Sequence, residues 1–137
     1  MTFKAPDADF NAMATAQAAL ITHIGLNESD PGTTGAGEAA GGSPAYARKA
    51  VTWGTAGAAG PLGSGTQPAS VGRIYSNELT FDVDAATYSH WSGWSASSAG
   101  NYHGGDTLES PVGTPSPVVV GAQGQIKVWV YLDFDGS

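Results

Sequence analysis

The spacing of apolar positions changes period once along this chain. From Phe10 onward, Met13, Ala14 and Leu20, with Gln17 in step, follow the three-to-four spacing of one helix face. Asp7 or Asp9 is a fitting N-cap, because a short carboxylate accepts bonds from the first free N–H groups of a helix. Lys4 and Ala5 stand before Pro6, which disfavours helical geometry in the residue ahead of it. The pattern predicts one short helix over residues 7–20, preceded by an extended arm over 1–6. Past Leu20 the period becomes two. Leu79, Phe81 and Val83 alternate with Thr80 and Asp82, the signature of a half-buried strand. Residues 125–134 give the strongest strand, with Ile126, Val128, Val130, Leu132 and Phe134 on one face. Lys127, Trp129, Tyr131 and Asp133 take the other. Shorter strands are predicted over 21–26, 45–53, 71–76, 88–94, 101–103 and 117–120.

Between these segments lie two long Gly-rich loops, 27–44 and 54–70. Loops of that length in a compact domain are usually functional, ordered against a partner, or mobile. Seven or eight short strands separated by turns imply a mostly β chain. The expected fold is a single β-sandwich, jelly-roll-like, with one short N-terminal helix, forming one domain over 1–137.

Composition narrows the function classes. With 20 Gly, 8 Pro and only 12% charged residues in 137, the chain suits a turn-rich β fold rather than a disordered one. The net charge is −7, with five Lys and Arg in all, so there is no basic footprint for nucleic acid. Cysteine is absent, which removes disulfides and thiolate metal sites. The first residues lack the charged start and apolar run of a leader, and no apolar stretch is long enough for a membrane span.

Few residues suggest chemistry. His23, His90 and His103 are not in metal-binding spacing, and a metal site would need them to converge with Asp106. Asp82/Asp84 and Asp133/Asp135 put two carboxylates on one strand face. Calcium or glycoside hydrolysis are the sharp readings of such pairs, and solvated strand ends the plain one. No nucleophile elbow or phosphate-binding loop occurs, so no catalytic residue, cofactor or metal is assigned. Tyr88, Trp91, Trp94 and Tyr102 form an aromatic cluster. Trp91, Trp94 and Tyr102 could make a platform for a sugar ring, but large aromatics are also ordinary core and interface anchors. Trp91 and Trp94 stand three apart, which puts them on opposite faces of a regular strand.

Several segments together resemble a family of small virion proteins of tailed phages, described as minor tail or tail-fibre proteins and common in phages of actinobacteria. The segments are Ser29-Asp-Pro-Gly-Thr-Thr-Gly35, Gly41-Gly-Ser-Pro-Ala-Tyr-Ala-Arg-Lys-Ala50 with Trp53, and Leu79-Thr-Phe-Asp-Val83. His90-Trp-Ser-Gly-Trp-Ser-Ala96 and Gly121-Ala-Gln-Gly-Gln125 follow in the family's order. The resemblance implies a compact β-sandwich without catalytic residues. It departs in the arm, in the longer 54–76 region and in the aromatic last strand. The expectation is a non-enzymatic structural protein on the exterior of a virion, either a capsid decoration protein or a minor tail protein. It would form a homo-oligomer, a trimer, docked on the major capsid protein or on tail proteins, with no nucleic acid and no membrane. Tyr46, Arg48 and Trp53, with the two loops, are the expected partner contacts. The alternative is a carbohydrate-binding module using Trp91, Trp94 and Tyr102 on a host-surface glycan.

Overall fold

The structure, a computed structural model, describes residues 4–61, 67–68 and 71–135. Met1–Phe3 of the expected arm and 62–66 and 69–70 of the second loop lie outside the described residues. Among the described residues one helix, α1 (Asp7–Leu20), precedes ten strands. These are β1 (His23–Asn27), β2 (Lys49–Ala50), β3 (Val71–Tyr75), β4 (Leu79–Val83) and β5 (Ala86–Tyr88). They continue as β6 (His90–Trp94), β7 (Tyr102–Thr107), β8 (Val118–Val120), β9 (Gly124–Val128) and β10 (Tyr131–Asp135). All pairings are antiparallel.

Four of those pairings are nested. The β6–β7 hairpin is flanked in sequence by β5–β8, then β4–β9, then β3–β10. Eight strands paired in this way are one long hairpin folded back on itself, the connectivity from which jelly rolls are wound. β1 and β2 extend the β6–β7 ladder into a four-stranded sheet in the order β2-β1-β6-β7. The chain is thus mostly β, sandwich-like, with one short N-terminal helix.

Two compact units divide the chain. The first comprises 1–20, 52–78 and 129–137, and the second 21–51 and 79–128. In the first, α1 lies on one face of β3–β10. Ala14 and Ala18 are buried with Ile74, while Trp53, Ala56, Leu132 and Phe134 close the cluster. The helix and strand approach very closely at Gly72, where a Cβ would overlap the Phe10 carbonyl. In the second, Ile24, Leu26, Phe81 and Val83 are fully buried. Tyr88 is buried with its hydroxyl donating 2.7 Å to the Asp84 carbonyl, a tie between a tyrosine and the backbone just upstream that fastens sandwich corners.

The structure differs from the sequence pattern in two places. The strand expected over 45–53 is reduced to Lys49–Ala50, because the side chains of Tyr46 and Arg48 are drawn to Glu38 instead. The strand expected over 125–134 is two. β9 pairs with β4 and β10 with β3, and Val130 between them bonds Ser76 through both its N–H and its carbonyl. The inward alternation survives the break, with Ile126 and Val130 both buried. Trp91 and Trp94 take opposite faces of β6, as their spacing requires. β6 pairs with β1 in unbroken register, and Trp94 shares the face of Ser92, to which it donates. The residue added to the β6–β7 ladder lies in β7, opposite Ser92 to Trp94, and both indoles are buried, one on each face.

Candidate functional site

The loop expected over 27–44 is ordered, and its anchoring residues form the most organised polar site among the described residues. Its first half returns along β1. Glu28 N donates to the Gly37 carbonyl at 2.9 Å and Ala39 N to the Leu26 carbonyl at 2.8 Å. Buried Asn27 donates from Nδ2 to the Ala36 carbonyl at 2.9 Å. These bonds deliver the carboxylate of Glu38 beside β1, where Gly25 makes room for it. A Cβ on residue 25 would stand 2.7 Å from the Tyr46 hydroxyl and 2.8 Å from Glu38 Oε2.

Arg48 grips that carboxylate with two parallel bonds, Nε to Oε2 and Nη2 to Oε1, both at 2.8 Å. Nη1 donates to the carbonyls of Ala96 at 3.1 Å and Ala99 at 2.8 Å, across the turn after β6. The guanidinium lies 3.7 Å from the centroid of the Trp94 ring, in stacking range. Trp94 donates from Nε1 to Ser92 Oγ at 2.8 Å and leans on Tyr102 with centroids 5.3 Å apart. Tyr102 donates to the Gly32 carbonyl at 3.0 Å, pinning the loop tip. Gly35 sits against the Trp94 ring at φ +79°, a conformation and a closeness that only glycine meets.

Tyr46 completes the group. Its hydroxyl donates to Glu38 Oε2 at 2.8 Å and accepts from Leu26 N at 3.0 Å. Burial, and then the Glu38 charge, hold the Tyr46 phenol far above its ordinary pKa. With Arg48 spread over a carboxylate, two carbonyls and a ring, the site fixes backbone and offers no reactive group to a substrate.

The first unit contains a second version of this arrangement. Arg73 binds Asp133 through Nε at 2.5 Å and Nη2 at 2.6 Å, and Nη1 donates to the Tyr75 hydroxyl at 3.2 Å. The guanidinium lies 4.5 Å from the Tyr131 ring centroid. The chain has two arginines, Arg48 and Arg73, and each unit uses its own as a fork on one carboxylate beside an aromatic ring.

Of the expected contact residues, Tyr46 and Arg48 therefore come together, while Trp53 belongs to the other unit. Trp53 is half-buried and lines a groove of about 240 Å³ with Tyr75, Ser76, Asn77, Ala59 and Pro61. The polar groups of Ser76 and Asn77 are engaged locally, with the Val130 and Thr52 amides among their partners. Of the expected glycan platform, Trp94 and Tyr102 come together, while Trp91 lies on the opposite face of β6, and neither indole is presented to solvent. Trp91 is 4% and Trp94 9% exposed, and the Trp94 ring faces Arg48. The remaining candidates stay apart. His23 and His90 contact the hydroxyls of neighbouring Thr22 and Ser89, and His103 is half-buried on β7. Asp82 takes a bond from Gln125, and Asp133 is held by Arg73. Among the described residues no group of three or more His, Cys, Asp or Glu could hold a metal ion. Nor is any described helix long and apolar enough to cross a membrane.

The family of the podophage GP4 fiber I protein gp80 matches residues 7–127. The chain belongs to this phage fibre family. The match runs through α1 and through both compact units, so it covers the Arg48 site and the Trp53 groove alike. No curated protein and no solved structure matches the chain. Fibre-family membership makes the chain a structural virion component, and the geometry of the Arg48 site is that of a brace within such a component.

Proposed function

We propose that this chain is a non-enzymatic structural module of the tail fibre of a tailed phage, working by docking onto tail proteins and onto copies of itself. The observation that carries the reading is the fibre-family match over 7–127. The site geometry supports it. The long loop is braced into a fixed shape by Glu38, Tyr46, Arg48, Trp94 and Tyr102, which is how a docking surface is pre-organised without a binding partner. The burial of Trp91 and Trp94 supports packing as their role rather than sugar binding. A symmetric oligomer is the expected working state, a trimer, and weak contacts repeated over several copies would supply the holding power. Tyr46 and Arg48 shape the loop, and Trp53 with its groove is the apolar contact point offered to a neighbour.

Mass spectrometry of purified particles, with heads and tails separated, tests this placement. A few copies confined to the tail fraction are expected. Many copies on tail-free heads would replace the tail placement with capsid decoration, and particles lacking the chain would overturn both.

A further inference from the structure

From Phe10 to Leu20 the outer face of α1 is as apolar as its inner one. Phe10, Ala14 and Ala18 are buried against the rest of the unit. On the opposite side Ala8, Ala12, Ala16 and Ala19 are exposed, with Met13 at 39% and Leu20 at 49%. A helix on the surface of a globular protein normally turns polar residues to water, and one apolar all round is normally covered. Of the three large hydrophobics exposed among the described residues, two are on this helix.

We propose that the outer face of α1 is a contact surface for the same face of a second copy of the chain. Three observations favour that occupant. Met13, Ala16 and Leu20 are spaced three and four apart, the interval at which one helix meets another, and the exposed Asp9 stands one step before them, outside the seam. The seam carries its own knobs and holes, Met13 and Leu20 beside Ala12, Ala16 and Ala19, so two identical faces interlock. Charge points the same way. Copies of a −7 chain repel one another, and no residue from Phe10 through Leu20 is charged, so this is where like-charged copies meet at least cost. Area agrees. A seam from Ala12 to Leu20 covers at most about half of the roughly 800 Å² per partner of a standard interface. That suits a weak contact between copies, formed by the free chain at high concentration and strengthened where several copies sit side by side.

The inference rests on the multi-copy reading above, but its test is separate, because association of the purified chain does not depend on where it sits in a particle. Sedimentation of the full chain over a concentration series compares wild type with Ala16→Glu and Thr15→Glu. The two substitutions add the same charge to exposed positions of one helix, and Thr15 lies off the seam. Wild type and Thr15→Glu are expected to associate alike, and Ala16→Glu at least about tenfold more weakly, since it buries an unpaired charge. Circular dichroism checks that α1 persists. The cysteine-free chain allows a second measurement, in which Ala16→Cys forms an intermolecular disulfide faster than Thr15→Cys. Equal association of wild type and Ala16→Glu overturns the proposal. So does a chain that stays monomeric while both cysteine variants cross-link equally slowly, or a different virion protein bound to this face without self-association.

Discussion

Replacing Arg48 by alanine should loosen the second unit more than any other single change outside its apolar core. The side chains of Arg48 and Glu38 are 9% and 21% exposed, so the pair is largely withdrawn from water. Removing one partner of a buried ion pair costs about 3–5 kcal/mol, because the other charge stays behind uncompensated. Here the lower end applies, since Glu38 keeps its bond from Tyr46 and some contact with solvent. Loss of the stack on Trp94 adds about 0.5–1 kcal/mol. The carbonyls of Ala96 and Ala99 lose their donor, but Ala99 is exposed and water replaces it. The sum is about 3–4 kcal/mol, or roughly 15–25 °C in Tm for a unit of this size. Arg48→Lys keeps the charge but loses the fork and should lie about halfway between. Urea unfolding followed by tryptophan fluorescence reads the total. Hydrogen exchange at the amides of Glu28 and Ala39 reads the loop, which should open before the sheet does. A double-mutant cycle with Glu38→Ala isolates the pair itself. If Arg48→Ala unfolds within about 1 kcal/mol of wild type, or leaves those amides equally protected, the brace is not what orders the loop.

Other expectations are as direct. Gly72→Ala places a methyl against the Phe10 carbonyl and should destabilise the first unit by about 3 kcal/mol or more, whereas Gly121→Ala, with open space around it, should stay within about 0.5 kcal/mol; thermal melts compare them. Tyr46, Tyr88 and Tyr102 are all held above their ordinary pKa, chiefly by burial. Their unfolded forms ionise near pH 10, before the folded ones do, so their contribution should be flat below about pH 10 and stability should fall above it; Tyr46, the strongly shifted one, contributes about 1.4 kcal/mol per pH unit. Tyr46→Phe should remove one such contribution from the slope; a slope unchanged in that variant, with the phenols titrating normally by ultraviolet absorbance, would refute the assignment. Ala99 stands at φ +52° in the turn that receives Arg48, so Ala99→Gly should raise the melting free energy by up to about 1 kcal/mol in the same melts.

The period of the apolar residues was enough to locate α1 and the inward faces of the main strands, because burial on one side of an element writes itself into local spacing. It was not enough to split 125–134. Ile126 through Phe134 alternate without a flaw, and the break at Val130 is set by Ser76, a partner more than fifty positions away. The bulge in β7 opposite Trp94 was hidden for the same reason, since an added residue in a ladder is a property of two strands and not of one. In the site, Tyr46, Arg48, Trp94 and Tyr102 all drew notice as aromatic or charged residues in a chain poor in charge. Glu38 did not, standing among glycines and alanines. A usable signal existed. With two arginines in the whole sequence, each was a strong candidate for a carboxylate partner, and the nearest acid to Arg48 upstream is Glu38.

That economy of charge also explains why the two arginine sites look alike. A chain with this much glycine has long loops whose backbone freedom must be removed by something other than a large apolar core. Disulfides are absent. A fork of Arg on a carboxylate fixes position and orientation together, and a flanking ring excludes water from it, which raises the strength of each bond. Arg48 ties the Glu38 segment of the loop to the turn after β6. Arg73 ties the paired strands β3 and β10 across one ladder step, with Tyr75 and Tyr131 around it. Lysine would do neither, having one mobile point charge where two fixed directions are needed. The remaining cations are Lys4, Lys49 and Lys127, of which Lys4 and Lys127 are exposed. The acidic excess is therefore left on the surface, where like charges repel, and the stretch of α1 from Phe10 to Leu20 is the part of that helix that carries none.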